Sequence, residues 1–332
     1  MSNQEYRLAD TAGFDSLKLH KSSIPQPNPG EIQIKFRACS LNYRDLIISK
    51  GLYPLPMETN VVPTSDGAGE ITAVGAGVTH LKIGDRVSPH SPQGYIGGQI
   101  SEEAFSFALG GALDGCLRQY GNFQALSCVK IPTSLSYEEA ATALKPGQTV
   151  LVQGTGGVSL FGAQFALAAG AKVILTSSSN KKIDAIKTHL GEKNVMTINY
   201  SEVSEWGKRA KELTDGRGVD HILEVGGANT LKQSIEAIAM NGSIHVIGFL
   251  GQGNGSDMTV SELIMNVLTK NAFIRGVLIG SVEQFKAMNA AIEANDIKPI
   301  IDKIFEFEDV KSAYEYQWSQ QHVGKVVIQI PQ

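Results

Sequence analysis

The stretch from Thr149 to Ser179 reads as strand, glycine turn, helix and strand, an order that few architectures accommodate. Thr149-Val150-Leu151-Val152-Gln153 is a short apolar run suited to a buried parallel strand, and Lys172-Val173-Ile174-Leu175-Thr176 is a second. Between them lie the turn Gly154-Thr155-Gly156-Gly157-Val158-Ser159 and a helix of small residues from Ser159 to Ala171. Gly154 and Gly156 permit a tight turn and let the backbone approach a pyrophosphate, whose charge the free N–H groups at the helix start then hold. Ser159 stands where a third glycine is usual, and its side chain is small enough for close helix packing. Flanked by two strands, Gly154, Thr155, Gly156, Gly157 and Val158 are read as a dinucleotide site, against the alternative of a purely structural turn.

The end of the second strand discriminates between dinucleotides. Chains that prefer NAD(H) usually present Asp or Glu there to the ribose 2′-hydroxyl. This chain presents Thr176 to Lys182 with no acid before Asp184. Ser177 and Ser178 leave room for a 2′-phosphate, and Lys182 can pair with its charge of about −1.5 to −2. The competing reading is a Ser/Asn helix cap followed by solvated lysines. The missing acid favours NADP(H).

From Leu144 onward strands alternate with helices. Strands are expected at 195–198, 219–225, 243–247 and 272–278, and helices at 181–189, 204–213, 230–240 and 260–270. That rhythm specifies an α/β doubly wound parallel sheet whose ligand edge carries Gly154, Ser177, Gly226, Gly248, Phe249 and Leu250. The preceding part is rich in short strands and turns: Glu31 to Arg37 alternates polar and apolar, and Gly84-Asp85 turns into another strand. A small β-barrel or sandwich is expected there. Gly324 to Ile328 is a returning strand, so the nucleotide domain, 144–296, is expected to be inserted into a first domain made of 1–143 and 297–332. A chain of 332 residues exceeds what one core usually serves.

Composition removes other classes. A net charge of −4 with scattered Lys and Arg argues against nucleic acid or an anionic membrane as partner. Cys39, Cys116 and Cys128 are odd in number and form no C-x-x-C, which fits reduced thiols in a cytoplasmic protein. The polar start, Met1 to Glu5, lacks a signal-peptide core, and Gln164 and Lys172 interrupt the most apolar stretch. No H-x-H pair and no G-x-S-x-G elbow occurs, and His221 and His245, within predicted strands, are read as core histidines.

Three motifs taken together carry a family resemblance. They are Leu41-Asn42-Tyr43-Arg44-Asp45-Leu46 with Gly51-Leu52-Tyr53-Pro54, Ser65-Asp66-Gly67-Ala68-Gly69, and Leu144-Lys145-Pro146-Gly147-Gln148 leading into the glycine turn. With the terminal Gly324-Lys325-Val326-Val327, the chain resembles the medium-chain dehydrogenase/reductase superfamily end to end, in its zinc-independent, quinone-oxidoreductase-like branch. The resemblance implies a GroES-like catalytic domain, a Rossmann domain and an active-site cleft between them. It puts the first zinc-ligand Cys on Asn42 and the His on Ser65, and neither is a plausible ligand, so no metal is expected. It also implies that Tyr200 is the aromatic beside the adenosine phosphate, the competing reading being that it packs on Lys182. A helix that the family carries between Thr142 and Leu144 is missing here. Either the chain has lost it or residues are absent from the sequence as read, and the second reading is preferred.

Hydride transfer needs a group that stabilises or protonates the oxygen gaining charge. Without a metal, alcohol oxidation is hard, whereas reduction of an activated acceptor asks less. The resemblance puts Asn42 and Tyr53 near the cleft as the best donors, with Tyr43 and Asp45 as second choices. Structural alternatives are a turn-capping amide for Asn42, a packed loop residue for Tyr53, and a helix-end partner for Asp45. The leading expectation is an NADPH-dependent reductase of small activated carbonyl, enone or quinone compounds. An alcohol dehydrogenase and a non-catalytic NADP(H)-binding redox sensor are the alternatives. Arg275 to Leu278 fits a sheet-edge strand that would pair across a homodimer.

Overall fold

The computed structural model describes residues 2–55, 57–98, 106–132, 148–248 and 258–331. Two compact units divide the chain: Met1–Ala141 with Gly280–Gln332, and Thr142–Ile279.

In the first unit, β1 (Ser2–Leu8) and β2 (Leu17–Ser23) form an antiparallel hairpin. The long strand β3 (Glu31–Ser40) leads into a short helix, α1 (Tyr43–Ser49). β4 (Asp66–Val74), β5 (Arg86–Pro89), β6 (Tyr120–Gln124) and β7 (Cys128–Lys130) follow. The alternation seen in Glu31 to Arg37 buries Ile32, Ile34 and Phe36 completely, which commits β3 to the centre of the barrel core.

The second unit contains β8 (Thr149–Gln153), α2 (Gly157–Ala168), β9 (Lys172–Ser177), α3 (Asn180–Leu190), β10 (Val195–Asn199) and α4 (Trp206–Glu212). It continues through β11 (Val219–Glu224), α5 (Ala228–Ala237), β12 (Ile238–Val246), α6 (Val260–Thr269) and β13 (Phe273–Gly276). The six strands are parallel in the order β10-β9-β8-β11-β12-β13, the doubly wound arrangement read from the sequence. The helix expected to run to Met240 stops at Ala237, because Ile238 already pairs with Val219 in the sheet. His221 and His245 are half-buried rather than core, and their rings share a hydrogen bond of 3.2 Å while Gln148 bonds His221 at 2.8 Å. Burial pushes both imidazoles down in pKa.

The chain then returns through α7 (Val282–Asn295), β14 (Ile301–Phe305), α8 (Val310–Trp318) and β15 (Lys325–Gln329). This return begins at Gly280, not at 297 as the sequence suggested. The reason is local: the Val282 N–H donates to the Tyr95 carbonyl at 3.2 Å and Asn289 Nδ2 to the Lys130 carbonyl at 3.1 Å, so α7 belongs to the first unit. β14 and β15 complete the sheet β14-β15-β3-β4-β5-β7, with β6 also on β3. No helix among the described residues is long and apolar enough to cross a membrane. The junction at 142–146, where a family helix is missing, lies outside the described residues.

Candidate active site

The nucleotide unit gathers its candidate residues at the carboxyl ends of β8, β9, β11 and β12. Gly154 follows β8 with φ of +79°, a left-handed conformation natural to glycine, and its N–H donates to the Thr176 carbonyl at 2.8 Å. Gly156 is the N-cap of α2, so Gly157 and Val158 supply first-turn N–H groups, and Thr155 is buried beside them. A Cβ built on Gly154 or Gly156 would meet nothing within 4 Å, which describes a bare main-chain cradle facing open space. Such a cradle fits a pyrophosphate. Ser159 is buried, and a further close helix–sheet contact is made by Gly162, whose Cβ would lie 2.3 Å from Leu223 Cδ1. Ser159 is tied down by donating its hydroxyl to the Gln153 carbonyl at 2.6 Å.

At the end of β9, Ser177 is buried and its hydroxyl accepts from the Ser179 N–H at 3.2 Å, while Ser178 is exposed. Ser179 caps α3 by accepting from the Lys182 N–H, so the capping alternative holds for Ser179 and leaves Ser178 unengaged by it. The Tyr200 N–H donates to the Ser177 carbonyl at 2.9 Å, which brings Tyr200, 44% exposed, to the same corner. Gly226 and Gly248 sit beyond β11 and β12, and the Gly248 N–H donates to the Glu224 carbonyl at 3.2 Å. Both must be glycine, since a Cβ would lie 2.3 Å from Thr230 Oγ1 at Gly226 and 2.4 Å from the Val225 carbonyl oxygen at Gly248. Phe249 and Leu250 lie outside the described residues.

Sequence reading missed the group that organises this edge. Glu224, fully buried at the end of β11, accepts from Gln153 Nε2 at 2.7 Å, from the Thr230 and Ser234 hydroxyls, and from the Gly226 and Gly227 N–H groups at 3.0 and 2.9 Å. Gln153 Oε1 in turn accepts the Val225 and Gly226 N–H groups at 3.1 Å. The signal available was an acid directly after Ile222-Leu223 and ahead of Val225-Gly226-Gly227 at a strand end, a place where burial demands dedicated donors.

In the first unit, β3 ends at Ser40 with two neighbours in register: Asp66 opens β4 opposite Ser40, and Val327 of β15 pairs with Ser40 on the other side. Asn42, two residues past β3, therefore lies between the starts of β4 and β15. Its Nδ2 donates to Asp66 Oδ2 at 2.8 Å, and its Oδ1 accepts from Lys325 Nζ at 2.9 Å. Ser65 Oγ donates to the other Asp66 oxygen at 3.0 Å. Tyr53 packs partly on the barrel core, and its hydroxyl accepts from Arg44 Nε at 3.2 Å with the guanidinium 5.1 Å from the ring centroid. Asn42 and Tyr53 thus take hydrogen bonds from different partners. Tyr43 stacks on Trp318 at 6.0 Å with an interplanar angle of 6°, a packing contact.

Asp45 is a helix-end residue: its Oδ2 accepts the Asn42 backbone N–H at 2.8 Å, the structural alternative weighed for it. Burial pushes its carboxyl up to about 6, and its Oδ1 has no hydrogen-bond partner. Between its ordinary value of 3.8 and about 6 the folded chain keeps a proton that the unfolded chain releases. Stability from this group is therefore present at low pH and declines as pH rises through that window. Asp45→Asn is expected to flatten this decline, read as urea midpoints at about pH 4 and about pH 7 in the two proteins.

The positions that the resemblance gives to zinc ligands offer an amide and a hydroxyl, where zinc takes thiolate or imidazole. The Asn42 carbonyl oxygen already accepts from an ammonium group that would repel a cation. This donor set does not fit zinc.

The family model described as the alcohol dehydrogenase GroES-like domain matches residues 28–133, and that described as zinc-binding dehydrogenase matches 157–294. A zinc-type alcohol dehydrogenase-like protein of Schizosaccharomyces pombe is 46% identical over 97% of both chains. An acryloyl-coenzyme A reductase of Metallosphaera sedula is 28% identical over 92% of this chain and 93% of its own. A crystal structure of a putative alcohol dehydrogenase from Sinorhizobium meliloti 1021 superposes with a TM-score of 0.88 at 35% identity, covering 99% of this chain and 98% of the other. With its barrel unit, its doubly wound unit and a glycine cradle at the strand ends, the chain belongs to the medium-chain dehydrogenase/reductase superfamily and is an oxidoreductase of that type.

Proposed function

We propose that this protein is an NADPH-dependent, metal-independent reductase of small activated carbonyl, enone or quinone compounds. One observation carries the reading: at Asn42, to which the resemblance gives a metal-ligand position, the amide is clasped between Lys325 and Asp66. Hydrogen-bond donation is what such a group offers. It suits an acceptor that is already electrophilic, and it does little for an alcohol whose hydroxyl must lose a proton.

The bound nucleotide supplies a hydride from its nicotinamide ring. Gly154 to Val158 would hold the pyrophosphate, and Ser178 with Lys182 would meet the 2′-phosphate at a strand end followed by no acid before Asp184. The Asn42 N–H stabilises the oxygen that gains charge. Tyr53 is the second donor, and the Arg44 guanidinium bonded to its oxygen leaves the phenolic hydrogen free to be given. The name of the Metallosphaera sedula relative, a reductase of an α,β-unsaturated acyl compound, supports the substrate class.

We also propose a homodimer. Among the described residues β13 is the last strand of its sheet, and Phe273, Leu278 and Leu268 of α6 are 62%, 59% and 69% exposed. The protein is expected to oxidise NADPH with a quinone or enone and to ignore a chelator. Chelator-sensitive alcohol oxidation would instead assign it to the alcohol dehydrogenases. Tight NADPH binding with no turnover across the acceptor panel would count against a reductase.

A further inference from the structure

We infer that Lys325 is a positioning residue, which locks the Asn42 amide so that an N–H, and never the carbonyl oxygen, faces the acceptor. The inference rests on the reductase reading above and deepens it. An ammonium group only donates and a carboxylate only accepts, so Lys325 and Asp66 together admit one orientation of the amide between them. An amide nitrogen carries two N–H groups, and Asp66 takes one. The second remains for a substrate oxygen.

Lys325 is itself well fixed. Its Nζ also donates to the Leu41 carbonyl at 3.3 Å, and its backbone N–H donates to the Ile300 carbonyl at 2.9 Å. Gly324 before it has φ of +92°, and a Cβ there would lie 2.1 Å from the Ile300 oxygen. The main chain that carries the lysine stem is therefore held in place. Ser65 steadies the opposite end by donating to the second Asp66 oxygen. A cation bonded to the amide oxygen also polarises the amide and strengthens its N–H as a donor. Without the lysine the amide can turn its oxygen toward the acceptor oxygen, and the two lone pairs repel. Arg44, Asp45 and Asp66 are the other charged groups around Asn42, and Arg44 is already engaged with Tyr53 and the Leu109 carbonyl.

The experiment compares steady-state quinone and enone reduction by the full chain and by Lys325→Met, Lys325→Arg, Asn42→Ala and the Lys325→Met/Asn42→Ala double variant. NADPH affinity and Tm are measured alongside. Losing the Asn42 donor is expected to lower kcat by about 100-fold. Lys325→Met is expected to lower kcat by roughly tenfold or more with NADPH affinity unchanged, Lys325→Arg to recover most of it, and the double variant to be no worse than Asn42→Ala alone. Should Lys325→Met unfold, Lys325→Leu takes its place in the cycle. An active wild type whose Lys325 variants lose less than about twofold, or whose losses multiply with that of Asn42→Ala, overturns the positioning role and leaves the reductase reading standing. A wild type that binds NADPH but reduces no acceptor overturns both.

Discussion

Replacing Glu224 with alanine is expected to destabilise the nucleotide unit by about 3–5 kcal/mol, the largest stability loss of the substitutions considered. Its carboxylate is fully buried and collects hydrogen bonds from Gln153, Thr230, Ser234, Gly226 and Gly227. Alanine strands the Ser234 hydroxyl and the Gly227 N–H, while Gln153, Gly226 and Thr230 keep their second acceptors; each stranded donor costs roughly 1–3 kcal/mol before water relieves part of it. Glutamine is a poor substitute, because its NH2 would point a donor at other donors. Urea denaturation should show a lower midpoint for Glu224→Ala with little change in slope. NADPH affinity should fall as well, since the same carboxylate fixes the turn beyond β11. A midpoint within about 1 kcal/mol of wild type would mean that the donors find other partners.

Ser178→Asp is expected to swing the ratio of NADPH to NADH affinity by about 100-fold toward NADH. Ser178 is exposed at the end of β9, and no acid follows before Asp184. A carboxylate there would sit near a phosphate of charge about −1.5 to −2 and would instead offer an acceptor to a free ribose hydroxyl. At a few ångströms, with the screening typical of a protein surface, that repulsion is of order 3 kcal/mol. Fluorescence titration with both nucleotides measures the ratio directly. The weakening of NADPH binding should shrink as salt is raised, whereas a steric effect would not. A wild type that already prefers NADH removes the premise.

The nucleotide unit was largely legible in the sequence, because its signals are local. The glycine turn, the two buried strands around it and the alternation of strand and helix all operate within about 30 residues. Where reading slipped, a tertiary contact had overridden the pattern. Ile238 to Met240 extend a helical periodicity yet join β12, because Ile238 pairs with Val219 of β11. The close approach of Gly162 to Leu223 went unread, since only the partner strand decides which helix residue meets it. The substrate side was legible as residues and not as a constellation. Asn42, Asp66 and Lys325 were all in the motifs that carried the resemblance, yet their meeting depends on a sheet register that spans most of the chain. Tyr43 could not be told from a donor until Trp318 lay flat against it.

The pairing of β15 with β3 has a consequence for biosynthesis. A ribosome delivers β3 early, then makes the whole nucleotide unit before residues 325–329 emerge to lie beside it. The unit whose contacts are short-range can fold first, while the barrel waits with the Ala38–Ser40 end of its longest strand still lacking β15. During that interval an aggregation-prone edge is on offer, so translation pauses or early termination after Ile279 should yield a nucleotide-competent but sticky intermediate.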